Sequence, residues 1–142
     1  MSKEEMGIKF WEDKAKELVN PLLFSEVAHK YAEMIYQEGR RNSGKNNISQ
    51  LRRFYDAILN LDNTLQSLEG DINENFKKLL PYLKMLKPLA YYSLGRQHIT
   101  EHFKDFIETC LNNVHDYKDF KVLKTFFEAF MGYYRYYSRS YR

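Results

Sequence analysis

Between Ile99 and Val114 the apolar residues fall at Ile99, Phe103, Phe106, Ile107, Cys110, Leu111 and Val114, the i, i+3, i+4, i+7 spacing of one helical face. A second stripe, Leu123, Phe126, Phe127, Phe130, Met131, Tyr134 and Tyr137, repeats it towards the C-terminus. No segment alternates convincingly with period two, so no sheet is expected. Six glycines and three prolines in 142 residues point the same way. The expected fold class is all-α, a single-domain bundle of about five helices joined by short loops.

Helix boundaries follow from caps and breakers. Thr100 is placed to cap the Phe103 helix and Asp119 the last one. Asn47, with Gln50 three residues on, is a capping-box start for a helix carrying Ile48, Leu51, Phe54, Tyr55, Ile58, Leu61, Leu65 and Leu68, which Gly70 stops. Asp71 or Asn73 opens a further helix with Phe76, Leu79, Leu80 and Leu83. Pro81 either starts a new helix or kinks this one, and Pro88 implies a break near Lys87. Upstream, Ser25 is the candidate cap of a helix reaching Glu38, with Gly39 as its left-handed stop. Lys3 to Val19, with Ile8, Trp11, Ala15 and Leu18, is expected as a short amphipathic helix ended by Asn20 and Pro21. The organisation is thus residues 1–45 with the N-terminal helices and residues 46–142 as the helical core, one domain overall.

The net charge of +3 is small, but its distribution is uneven. Arg40, Arg41, Lys45, Arg52 and Arg53 fall between Gly39 and Tyr55 with no acid among them. Lys77, Lys78, Lys84, Lys87 and Arg96 occupy Asn75 to Thr100, again without an acid, and Arg135, Arg139 and Arg142 close the chain unopposed. Such segregation suits a polyanion surface; ordinary solvated helix faces are the other reading. The tail from Gly132 interleaves tyrosine with arginine, with Tyr134 assigned to the core and Arg135 and Arg139 to the surface. Tyr91 is assigned to the core as well.

Catalytic signals are sparse. His98, Glu101 and His102 spell H-x-x-E-H, the inverted zinc-peptidase pattern, but the cap at Thr100 leaves His98 outside the helix and no acid is marked as third ligand. A small metal-dependent hydrolase using these three residues, or a helical protein-interaction module, is the alternative class of function. No nucleophilic triad, glycine-rich phosphate loop or paired-aspartate metal motif is visible, so no enzyme, metal or cofactor is expected. The one cysteine, Cys110, lies on an apolar stripe and is expected in the core. No signal peptide or long apolar run is present, which gives a cytoplasmic protein with no membrane partner as the expectation.

Three blocks in series, ISQLRRFYDAI at Ile48 to Ile58, LKPLAYYSLGR at Leu86 to Arg96 and FFEAFMGYYRYY at Phe126 to Tyr137, resemble the small subunit of the type III-A CRISPR effector, the Csm complex. The resemblance covers the chain from about Asn46 to Tyr137. It implies a helical, non-catalytic RNA-binding structural subunit serving antiviral defence. Several copies would stack along the guide–target RNA duplex beside the backbone and large subunits and contact its backbone without reading sequence. Guide RNA, target RNA, other Csm subunits and further copies of the chain are the implied partners. Carried over position by position, Arg52 and Arg53 match the basic pair of the first block, Lys87 and Arg96 the ends of the middle block, and Arg135 the last. With Lys45 and Arg139 from the charge runs, these are the candidate RNA-binding residues. The family often has a lysine directly after the proline of the middle block, where this chain has Leu89.

Overall fold

The structure, a computed structural model, describes residues 7–42 and 44–140, with Ser140 described by its backbone only. The expected positions at Lys3 to Met6, Ser43 and Arg142 lie outside it. The elements in order are β1 (Trp11–Asp13), β2 (Leu18–Val19), a π-helical turn (Leu23–Val27), α1 (Ala28–Arg41), α2 (Ile48–Ser67), α3 (Ile72–Lys84), α4 (Leu86–Gly95), α5 (Glu101–Asn112) and α6 (Tyr117–Ser140). The all-α expectation holds: helices make the body, and the sheet is one two-stranded hairpin.

The core is aromatic. Phe103, Phe106, Phe126, Phe127 and Phe130 are fully buried where α5 meets α6, and Phe106 stacks on Phe130 at 4.6 Å between ring centroids. Each such ring contributes about 1.5–3 kcal/mol by leaving water. α1 packs along α6. α2 runs antiparallel to α6, since Tyr55 stacks on Phe127 at 6.0 Å and Lys124 pairs with Asp62 at 2.6 Å. α3 crosses the far end, with Phe76 against Phe120 at 5.1 Å, and α4 folds back along α5. Cys110 is buried as expected, and burial pushes its thiol pKa far up.

Among the described residues 7–19 the expected N-terminal helix is absent. Ile8 and Phe10 are buried while Lys9 is exposed, so a period-two pattern prevails over the helical one, and β1 pairs antiparallel with β2. The contacts that decide this are distant in sequence: Trp11 Nε1 donates to Asp119 Oδ1 at 2.7 Å, Lys14 pairs with Asp116 at 2.8 Å and Asp119 at 3.0 Å, and Glu17 pairs with Lys118 at 2.8 Å. A lone short helix could not offset these. Ser25 does not cap the next helix. It sits inside the π-helical turn, and the chain enters through Asn20, whose Oδ1 accepts the Leu22 amide at 3.1 Å.

Several boundaries move. α1 continues two residues past Gly39, which is buried inside the helix. α3 runs through Pro81 to Lys84, and the break falls at Met85, leaving Pro88 in the first turn of α4, where a missing amide is harmless. Asp71 caps α3, accepting the amides of Asn73 at 2.8 Å and Glu74 at 3.1 Å. α6 begins at Tyr117, before Asp119. Asp116 Oδ1 accepts the Asp119 amide at 2.9 Å, and Asp119 Oδ2 in turn accepts the His115 amide at 2.9 Å, a reciprocal cap.

A candidate nucleic-acid interface around Asn46

The residue that gathers the cations is itself neutral. Asn46 is 2% exposed and stands at φ 57°, a left-handed conformation that asparagine tolerates better than most side chains. Its Nδ2 donates to Ile35 O on α1 at 3.1 Å and to Thr100 Oγ1 at 2.8 Å. Its Oδ1 accepts the Thr100 amide at 2.9 Å, and its own amide donates to His98 O at 3.0 Å. The buried Tyr134 hydroxyl of α6 donates to its carbonyl. Burial holds that hydroxyl's pKa well above the usual tyrosine value, so it stays a donor. Asn46 thereby ties together α1, the α4–α5 loop and α6, and the next residue, Asn47, is the cap of α2.

Gly39 makes this approach possible. A Cβ there would lie 2.8 Å from Asn46 Cβ and 2.8 Å from Lys45 O, so the helix must be bare at that point. Gly44, at φ 84°, turns the chain back, and Asn47 caps α2, its Oδ1 accepting the Gln50 amide at 3.0 Å. The cap at Asn47, read from sequence, is present, while the Gln50 side chain accepts from Arg53.

Around this knot stand the basic side chains of four segments. Arg40 and Arg41 end α1 exposed, and Lys45 is half-buried. Arg40 and Lys45 line a cleft of about 250 Å³ with Tyr36, Asn47, Tyr134 and Ser138. Arg135 and Arg139 are exposed one turn apart on α6, as expected, flanking a shallow groove with Gly132 and Tyr136. Arg52, exposed, follows Ile48 by one turn on the edge of α2 that lies along α6. Arg53 is exposed further round α2, with Nη1 donating to Gln50 Oε1 at 3.3 Å. Arg96 is exposed just after α4, two residues from the His98 carbonyl that Asn46 holds. Its guanidinium lies over the Tyr92 ring at 5.8 Å and donates to the Tyr92 hydroxyl at 2.9 Å.

Lys87 stands apart from this group. It lies at the start of α4, half-buried, and donates to Asn112 Oδ1 on α5. The turns of α4 that separate it from Arg96 span about 13 Å. Lys84 turns inward to the carbonyls of Leu111 and Val114, and burial, with Lys87 nearby, lowers its pKa. Tyr91 is not core: it is 49% exposed, its hydroxyl reaching Glu108 at 3.1 Å.

The H-x-x-E-H residues do not converge. His98 precedes α5, Glu101 is exposed in its first turn, and His102 Nδ1 is bonded to Glu38 of α1. Among the described residues no three His, Cys, Asp or Glu side chains are grouped to hold a metal ion. No helix among them is long and apolar enough to cross a membrane.

Asn46 and Gly39 are the residues that sequence reasoning missed as organisers of this end. The available signal was an asparagine next to the Asn47 cap and just after Gly44, where a left-handed turn is cheap.

No curated protein and no solved structure matches the chain. The family model described as Csm2 Type III-A matches residues 22–140, leaving residues 1–21 and 141–142 outside. With nearly the whole helical body inside that match, the chain belongs to the Csm2 Type III-A family, the small subunit of the type III-A CRISPR effector.

Proposed function

We propose that this subunit is a non-catalytic RNA-binding element that lies, in several copies, along the guide–target duplex of the cytoplasmic effector and grips its backbone without reading sequence. The convergence of cations from four segments on the Asn46 knot carries the reading. A phosphate backbone requires positive charge on a fixed scaffold and nothing that discriminates bases, because pairing between guide and target supplies the sequence information. Lys45, Arg52, Arg53, Arg96, Arg135 and Arg139 are the proposed RNA-binding residues, with Arg40 beside them in the cleft. Lys87 contributes at a second, separate point. Modest affinity per copy suffices, since neighbouring copies on one RNA add avidity.

The test is RNA-duplex binding as a function of salt. Affinity should fall steeply with salt and be the same for unrelated sequences. Arg52→Ala/Arg53→Ala and Arg135→Ala/Arg139→Ala should each weaken binding uniformly and flatten the log–log salt slope by about 1 for each phosphate no longer held. Undiminished binding at low salt in both double variants would overturn the assignment.

A further inference from the structure

A second surface, which meets the cationic end only at Arg96, is not accounted for by folding. α3 passes into α4 through Met85, whose φ of −63° and ψ of −16° keep the chain in the right-handed region. Positions 78, 82, 85, 89, 92 and 96 are spaced 4, 3, 4, 3 and 4 apart and so form one ridge across the junction. That spacing usually marks a buried stripe. Here Tyr82 is 70% exposed, Met85 60% and Tyr92 59%, with exposed Lys78 and Arg96 at the two ends and half-buried Leu89 between. Scattered exposed apolar side chains need no explanation, but a contiguous line of them does.

We propose that this ridge docks, through Lys78, Tyr82, Met85 and Tyr92, into a groove on a neighbouring protein subunit of the effector, apolar along its floor and carrying carboxylates where Lys78 arrives. The inference goes beyond RNA binding and rests on membership of the effector alone. Tyrosine and methionine are among the residues that protein interfaces concentrate at their centres. The charge is one-sided: no acid occurs from Asn75 to Thr100, so the complementary surface is acidic. Base stacking fits the ridge less well. Met85 has no aromatic face, and the Tyr92 hydroxyl and ring are already engaged by Arg96. Neighbouring Tyr91 is likewise engaged, with Lys104 Nζ 4.8 Å from its ring centroid. A second copy of the chain fits poorly too, because a two-fold pairing of this ridge would bring cation against cation.

The experiment titrates labelled protein into the effector assembled without this chain. Tyr82→Glu/Met85→Glu should bind at least tenfold more weakly, and the milder Tyr82→Ala/Met85→Ala should lose affinity in the same direction. Both should keep the wild-type thermal midpoint and the free protein's affinity for RNA duplex. Entry into the effector with wild-type affinity would overturn the proposal. So would a loss confined to RNA binding, which would make the ridge a nucleic-acid surface, or one confined to self-association, which would make its partner a second copy.

Discussion

Replacing Asn46 by alanine tests the organising role of the knot most directly. The side chain makes three hydrogen bonds, to Ile35 O, Thr100 Oγ1 and the Thr100 amide, at 3.1, 2.8 and 2.9 Å. Each is worth about 1 kcal/mol net, and truncation leaves buried partners without a substitute. Alanine must also adopt φ near 57°, which adds about 1 kcal/mol. The expected loss is therefore about 4 kcal/mol, a large share of the roughly 5–15 kcal/mol that holds a domain together. Asn46→Gly loses the same bonds but not the left-handed strain, so it should be about 1 kcal/mol less damaging. Urea unfolding measures both, with an unchanged m-value showing that the comparison is between like transitions. A loss below about 1 kcal/mol for Asn46→Ala, or a glycine variant no better than alanine, would refute the reasoning. Asn46→Gly should also weaken RNA-duplex binding at temperatures where it remains folded, although it removes no charge. Unchanged affinity would show that the cations do not depend on the knot for their placement.

Two glycines should respond oppositely to alanine. Gly39→Ala should destabilise by about 1–2 kcal/mol, because its Cβ meets Lys45 backbone and Asn46 Cβ at 2.8 Å, whereas Gly132→Ala, with nothing within 4 Å, should stabilise by about 0.5–1 kcal/mol in the same urea assay. Acid should release the N-terminal hairpin. Burial works to raise the Asp116 pKa, but hydrogen bonds from Lys14 and the Asp119 amide outweigh it and leave the pKa below its ordinary 3.8. A carboxyl depressed in this way stabilises the fold above pH 3.8, and that contribution fades as the pH falls through and below that value. Trp11, the one tryptophan, should report the change by fluorescence at a pH where helical circular dichroism is still intact; coincident loss of both signals would contradict a local release.

What was legible in the sequence is what neighbouring residues decide. The Asn47 cap, the α5 stripe and the core places of Cys110 and Tyr134 follow from local spacing and are present. The hairpin was not legible, because Trp11 and Lys14 are placed by Asp116 and Asp119, which a short helical period in residues 8–18 cannot reveal. Gly39 has the sequence signature of a helix stop and is instead a point of close approach, a distinction made only by a partner seven residues later. Of the candidate site, the exposure of Arg52, Arg53, Arg135 and Arg139 was readable from their places beside the apolar stripes. Their gathering at one end was not, because it depends on long-range bonds to one buried amide. Tyr91 failed for the converse reason: α4 buries Leu86, Ala90 and Ser93 against α5, and Tyr91 falls beside that face.

The hairpin end of the bundle and the Asn46 knot are held by different chemistry. At the hairpin end the ties are ionic: Lys14 with Asp116 and Asp119, Lys118 with Glu17, and Lys124 with Asp62. At the Asn46 end the bonds of the knot itself are those of an amide, two hydroxyls and backbone groups, and the carboxylate nearest to it in sequence, Glu38, is bonded to His102 of α5. A carboxylate within the knot itself would offset the positive potential on which the proposed RNA contact rests. A neutral clamp leaves it standing, at the cost of crowding like charges. Arg135 and Arg139, one turn apart and so about 6 Å between Cβ atoms, repel by about 0.7 kcal/mol in bulk water. Raising salt from about 0.05 to about 1 M shortens the screening length from above 10 Å to about 3 Å. It should weaken the exposed Glu17–Lys118 pair and relieve the arginine repulsion while leaving the knot's neutral hydrogen bonds unchanged. Hydrogen exchange can read both ends at once: the Glu17 amide should exchange faster at high salt, and the Asn46 and Thr100 amides at the same rate or more slowly. Faster exchange at Asn46 and Thr100 would mean that charge holds the knot after all, and a neutral clamp would no longer explain how these cations are kept together.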